Sequence, residues 1–249
     1  MNNPLDLNGR HIIVTGASSG IGRETCILAS QYGAKISLIA RNPEKLAETR
    51  TMMQDGDHRI YEYDLLNVEG IDDLVKQITT DRGPVDGFVH CAGIGINRPV
   101  KLMKPEFVQQ NIQIHFSAFA EMVRACSARN RANENASFIG ISSVAAIRGD
   151  RTQGAYSAAK AAMNALIHPL AKELAPKKIR INTIAFGMVE TDMYKGFLES
   201  GGNNEELLKN QYMGVIPKEY AAGAICFMLS DMSRYMTGTT LVYDAGVLS

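Results

Sequence analysis

Residues 11–22 read "HIIVTGASSGIG". The β-branched run Ile12, Ile13, Val14, Thr15 passes directly into Gly16, Gly20 and Gly22, and a helical pattern follows over 20–32. Closely spaced glycines let the backbone turn sharply and approach a pyrophosphate, while the following helix offers unpaired N–H donors and its positive dipole end. The spacing here is G-x-x-x-G-x-G, not the G-x-G-x-x-G of the general dinucleotide fingerprint. Glycines also close ordinary loops. The turn therefore decides the fold only together with its flanks.

Those flanks alternate regularly. "KISLIA" (35–40), "RIYEY" (59–63), "VDGFVH" (85–90), "SFIGIS" (137–142), "IRINTIA" (179–185) and "TTLVYD" (239–244) read as further strands. Several are apolar on both parities, as strands covered on both faces are. Helical patterns occupy 43–54, 67–81, 104–130, 155–175 and 217–230. Such alternation implies right-handed βαβ units and a parallel sheet with helices on both sides. The fold class is α/β, a single-domain Rossmann fold with a doubly wound parallel sheet of about seven strands over 1–249. No repeat or low-complexity linker divides the chain. The polar, glycine-rich region from Tyr194 to Met213, with "ESGGNNEE" inside it, reads as a substrate-binding flap around 190–215.

Composition excludes several roles. Lys+Arg and Asp+Glu balance at 26 each, so no global field draws nucleic acid or an anionic membrane. Cys26, Cys91, Cys126 and Cys226 are far apart, which argues against disulfides and zinc. "MNNPLDLNGR" has no apolar signal core, and no run approaches the ~18 apolar residues of a membrane span. The expectation is a soluble, cytoplasmic protein that binds no metal, nucleic acid or membrane.

The second strand speaks to which nucleotide would bind. An acid at its end binds ribose hydroxyls in NAD sites, whereas a nearby arginine accommodates a 2′-phosphate. Here Ala40 stands at the acid's place and Arg41 follows, with Ser18, Ser19 and Asn42 available to line a phosphate pocket. Arg41 also reads as a solvated residue at a strand end, but the missing acid favours NADP(H), with NAD(H) as the alternative.

In "QGAYSAAKAAM" (153–163), Tyr156 and Lys160 are four residues apart and share one helix face. The pair by itself reads as an amphipathic surface. Taken with its context, the chain resembles the short-chain dehydrogenase/reductase superfamily along essentially its whole length. "TGASSGIG" is similar to that family's cofactor turn, "YDLLN" to the segment in which Asp64 and Leu65 flank the adenine, and "HCAGIG" to its N-N-A-G element, with Ala92 and Gly93 kept and Cys91 where asparagine is usual. Ser143 lies thirteen residues before Tyr156, the family's serine and Tyr-x-x-x-Lys spacing. "IRINTIAFGMVETDM" and "YMTGTTLVYDAG" resemble its later motifs.

The resemblance implies a catalytic set of Ser143, Tyr156 and Lys160. It also implies cofactor contacts from Gly16, Ser18, Ser19, Gly20, Ile21, Gly22, Arg41, Asp64, Leu65, Cys91, Ala92, Gly93, Gly187, Val189 and Thr191, together with Tyr156 and Lys160. A nicotinamide carries the hydride, and the protein supplies orientation and a proton. A free phenol titrates near pH 10, so the scheme expects the Lys160 ammonium to lower Tyr156 and to bond the nicotinamide ribose. Ser143 would hold the same substrate oxygen, in preference to its neighbour Ser142. Thr191 would bond the carboxamide, and it or Asp192 would cap a helix.

Three departures stand out. Ile114 occupies the place of an asparagine that supports a proton relay through water; Asn111 lies a turn earlier, and the Ile114 carbonyl is left as an acceptor for a relay water. Phe186 replaces the proline before Gly187, and Pro169 falls inside the helix that carries Tyr156. His168 reads as structural, and His90 and His115 as packing or surface residues.

Among relatives, the pattern is most like the 3-oxoacyl-(acyl-carrier-protein) reductases, which implies a carbonyl or secondary alcohol substrate, free or carrier-bound, and a homotetramer or homodimer. Arg124, Arg129, Arg131, Lys172, Lys177 and Lys178 are candidates for a basic patch toward an acidic carrier, or a solvated face. A sugar or alcohol dehydrogenase and a non-catalytic NADP(H)-binding protein are the rival readings.

Overall fold

The computed structural model describes residues 5–199, 205 and 209–249. Seven strands, β1 (His11–Thr15), β2 (Lys35–Ala40), β3 (Arg59–Glu62), β4 (Val85–His90), β5 (Ala132–Ser143), β6 (Arg180–Phe186) and β7 (Thr240–Tyr243), form one sheet in the order β3-β2-β1-β4-β5-β6-β7. Every pairing is parallel. The order runs outward in both directions from β1 and β4, so a crevice opens above the carboxyl ends of those two strands. There Thr15 lies in register with His90, and further along the sheet Ser143 pairs with Phe186.

Side chains alternate across the sheet. Ile13, Phe88 and Phe138 enter one apolar layer, beneath α3 (Ile71–Arg82), α5 (Ala118–Ser127) and α6 (Gly154–Leu174). Val14, Val89 and Ile139 enter the other, with α1 (Gly20–Gln31), α2 (Pro43–Met52) and α8 (Lys218–Leu229). Most of these residues are fully buried, and each such large side chain contributes about 1.5–3 kcal/mol relative to exposure. Both faces are covered, which is why the strands read as apolar runs and not as alternation.

The helix expected over 104–130 is unbroken from Pro105 to Ser127 but not regular. Between α4 (Pro105–Ile112) and α5 it passes through a π turn, Gln113–Ser117, where the Ala118 N–H reaches back to the Gln113 carbonyl. Such turns are frequent at functional sites. α6 runs straight through Pro169, whose ring is exposed, so the missing N–H falls on the solvent side. In the flap, α7 (Asp192–Glu199) is helical, whereas most of "ESGGNNEE" lies outside the described residues. Among the described residues, no helix is long and apolar enough to cross a membrane, and no cluster of His, Cys, Asp and Glu is arranged to hold a metal.

Candidate active site

A cleft of about 900 Å3 opens over the carboxyl ends of the strands. All eighteen residues expected at the site line it, from Gly16 on one side to Thr191 on the other. Ser142 and Phe186 line it too.

At one end the β1–α1 turn is pressed against the segment after β4. Gly16 has φ +65°, and a Cβ there would sit 2.8 Å from the Ala92 nitrogen; one on Gly22 would sit 2.3 Å from the Gly16 carbonyl oxygen. Backbone approaches backbone, and no side chain can yield. Ser19 occupies the N-cap of α1 but makes no capping bond, and no acid stands in the first turn. The helix therefore presents unpaired N–H groups and an uncompensated positive end to the cleft, which fits an anionic phosphate. The turn is braced from behind: Arg23 donates to the Ser18 carbonyl at 2.6 Å and to Thr49, and Thr49 donates to the Ala17 carbonyl.

Gly22→Ala is expected to lower the thermal midpoint by roughly 5 °C or more, as overpacking typically costs about 1–3 kcal/mol in a chain of this size. Calorimetry beside the wild type measures it. An unchanged midpoint would mean that the turn can relax.

The residues expected to line a phosphate pocket all border the cleft. Arg41 is exposed at the cleft edge, with Ser18 and Ser19 opposite. Asn42 lines the cleft as well, but its side-chain oxygen accepts the Lys45 N–H at 2.7 Å and so caps α2. Lys45 also lines this pocket, a cation that the sequence reading missed. It lies exposed in the first turn of α2, and the folded helix start brings it to the cleft edge.

At the other end, α6 carries Tyr156 and Lys160 below β5 and Ser143. The Ser143 hydroxyl bonds the Tyr156 phenol, and it also accepts the Ala145 N–H at 3.1 Å. The Lys160 ammonium lies 5.7 Å from the Tyr156 ring centroid and donates to the Ile141 carbonyl. Burial raises the Tyr156 phenol above its usual value, and the bond from Ser143 only partly offsets this. Burial also lowers Lys160 to about 7. The expected lowering of Tyr156 by Lys160 is thus not found here: both groups are desolvated, and the ammonium is turned to a carbonyl.

Of the two alternatives for His90 and His115, packing or surface, the structure selects packing. His90 and His115 are both buried, neither at the surface, and they frame the lysine and tyrosine. His90 Nδ1 bonds Thr15 Oγ1 at 3.1 Å and Nε2 bonds the Ile114 carbonyl at 3.0 Å. Since a carbonyl can only accept, Nε2 carries the proton and Nδ1 accepts from Thr15. The Ile114 carbonyl, expected to hold a relay water, is therefore bonded by an imidazole. His115 stands edge-on to Tyr156, with ring centroids 5.1 Å apart, and its Nε2 bonds the Ile94 carbonyl. Burial first, then the charge of Lys160, pushes His90 down to about 3 and His115 well below its usual value.

Asn111 does not substitute for the absent asparagine. It is fully buried outside the cleft lining and donates to the Phe107 carbonyl a turn back. Thr191 caps α7, accepting the Tyr194 N–H at 3.4 Å. Cys91 is packed against the turn, and burial raises its thiol to about 12. Away from the cleft, His168 is exposed. Three of the six candidate basic-patch residues are ion-paired: Arg124 and Arg131 both bind Asp72, and Lys178 binds Glu134.

Comparison with known proteins agrees with this geometry. A family model described as enoyl-(acyl carrier protein) reductase matches residues 16–248. The human 3-oxoacyl-[acyl-carrier-protein] reductase is 32% identical over 238 residues, 94% of this chain and 96% of that protein. The Thermotoga maritima protein of the same name is 30% identical over 248 residues, 98% of this chain and 100% of that one. A putative short-chain alcohol dehydrogenase from Sinorhizobium meliloti superposes with a TM-score of 0.90 at 26% identity, covering 99% of each chain. An NADPH-bound short chain oxidoreductase from Pseudomonas aeruginosa, described as containing an atypical catalytic center, gives 0.86 at 27% identity over 98% of each chain.

Proposed function

The chain belongs to the short-chain dehydrogenase/reductase family, and from that premise we propose that it is an NADP(H)-dependent oxidoreductase interconverting a carbonyl and a secondary alcohol, with 3-oxoacyl thioesters as the substrate class. The observation that carries this reading is the half-buried Ser143–Tyr156 hydroxyl pair, with the buried Lys160 beside it, at the far end of a glycine-lined cleft.

When bound, the nicotinamide supplies the two-electron chemistry at the carbonyl carbon. Everything else falls to the chain. Gly16, Gly20, Gly22 and the N–H groups of α1 would take the pyrophosphate, and Asp64 and Leu65 would flank the adenine. Ser18, Ser19, Arg41 and Lys45 would receive the 2′-phosphate. Cys91, Ala92, Gly93, Gly187, Val189 and Thr191 would wall the nicotinamide half, and Lys160 would turn from the Ile141 carbonyl to the ribose. Tyr156 would give its proton to the substrate oxygen while Ser143 donates to the same atom, two donors aimed at growing negative charge. The assembly would be a homodimer or homotetramer through α5 and α6, whose exposed positions include Ala158 and Ala165.

The test follows NADPH consumption by its near-ultraviolet absorbance with acetoacetyl and 2-enoyl thioesters. Turnover of the former alone supports the reading; turnover of the latter alone replaces it. Activity only with sugars or alcohols moves the substrate class. Tight NADPH binding without any turnover favours the non-catalytic alternative. For the cofactor, Arg41→Ala is expected to raise the KM for NADPH about tenfold and leave NADH within about twofold, since one phosphate contact is worth roughly 1.4 kcal/mol. Equal effects on both would remove the 2′-phosphate role.

A further inference from the structure

We propose that Gln211 is a positioning residue whose amide fastens the flap to the backbone after β6; the cofactor consequence rests on the NADP(H) reading above. Gln211 is 1% exposed. Its Oε1 accepts the Met188 N–H at 2.8 Å, and its Nε2 donates to the carbonyls of Met188 at 2.9 Å and Gly214 at 2.7 Å. The side chain thus exchanges both bonds with one residue, as a neighbouring strand does. Only one amide orientation works, because a flip would set the oxygen against two carbonyls.

The clamp sits between the two feet of the flap. On one side, Met188 leads through Val189 to Thr191, the cap of α7; on the other, Gln211 follows Asn210. The same backbone is pinned again by Ile216, which donates to the Met188 carbonyl at 3.0 Å and accepts from Glu190 at 2.9 Å. Gly187 is squeezed in this joint: a Cβ there would lie 2.8 Å from both Gln211 Oε1 and the Asp244 carbonyl oxygen. Met213 donates to the Ala245 carbonyl, which ties the turn to the C-terminal segment. A shift of the flap foot therefore moves Gly187 and Val189, the residues proposed to wall the nicotinamide. An apolar side chain of equal size would fill the space but leave the Met188 N–H and the Gly214 carbonyl without this partner, while the Met188 carbonyl keeps the Ile216 N–H.

Gln211→Met keeps length and bulk and removes every one of these bonds. In the ligand-free protein, trypsin is expected to cut at Lys195 and Lys209 about tenfold faster than in wild type. The Kd for NADPH, from fluorescence titration, is expected to rise about tenfold. The kcat at saturating cofactor, per folded molecule, should stay within about threefold, and the urea midpoint should fall modestly because backbone groups lose their partner. Wild-type cleavage and affinity in the variant would overturn the clamp. A lowered urea midpoint with kcat falling alongside the folded fraction and KM unmoved would reduce Gln211 to ordinary core packing, which also overturns it. If wild type binds neither NADPH nor NADH, the cofactor reading fails, and the trypsin arm alone decides whether Gln211 holds the flap.

Discussion

Tyr156→Phe is expected to lower kcat about a thousandfold while leaving NADPH affinity within about threefold, the size of a lost general acid. The change removes one oxygen and keeps the ring, so the edge-on contact with His115 and the packing around Lys160 survive. The phenol is held protonated by burial, which suits it to give a proton in the reductive direction. Ser143 has no base beside it to share that task, since Lys160 is turned to the Ile141 carbonyl. Stopped-flow reduction of an acetoacetyl thioester, beside a fluorescence titration, separates chemistry from binding. Residual turnover within tenfold of wild type would sink the assignment and move attention to His115, the nearest other proton carrier.

The second large effect concerns stability and pH. His90 and His115 are held neutral, with pKa values far below the usual 6.5, and His11 and His58 are lowered too, in each case chiefly by burial. A depressed folded-state value means that the unfolded chain takes up protons first as pH falls. The stability is whole above about pH 6.5 and drains below it, by about 1.4 kcal/mol per pH unit per histidine, until the folded form also protonates, near 3 for His90. His90 alone removes on the order of 2.5 kcal/mol between pH 7 and about 4.5, and His115 adds to this in the same direction, against a typical 5–15 kcal/mol. Asp57, Asp72 and Asp231, lowered by arginine partners, weaken the fold only at still lower pH. Urea unfolding at the two pH values measures the difference. A change below about 1 kcal/mol would show that these rings protonate without unfolding the chain. His115→Leu should flatten the slope by one histidine's share.

What the sequence disclosed depended on how far each signal reached along the chain. Ile12 to Gly22 carried its own meaning, since strand, turn and helix start are adjacent. Ser143, Tyr156 and Lys160 fell within eighteen residues, close enough for spacing to select them. His90 and His115 did not, because nothing local separates a buried imidazole from an exposed one. His90 meets Thr15 across 75 positions, and only strand pairing brings them together. The π turn at Gln113–Ser117 leaves no mark in periodicity over five residues. Gln211 lay in the most polar stretch, where an amide looks like any solvated side chain until its three partners are seen. The spacing put Lys160 beside Tyr156, where the structure has it, but its expected effect on Tyr156 is absent, because desolvation is a property of the assembled core.

The order of the strands also bears on how the protein is made. The glycine turn emerges early from the ribosome, yet its wall at Cys91 and Ala92 arrives some seventy residues later, after two complete βα units. Arg10, just before β1, bonds the Leu229 carbonyl at the end of α8, a separation of 219 positions. α1 packs against α8, so a nascent chain without its last fifth leaves the outer face of its first helix bare. Closing loops this long is slow and leaves apolar surface open meanwhile. The first βα units are therefore a waiting scaffold, and synthesis must run through Leu229 before α1 is covered.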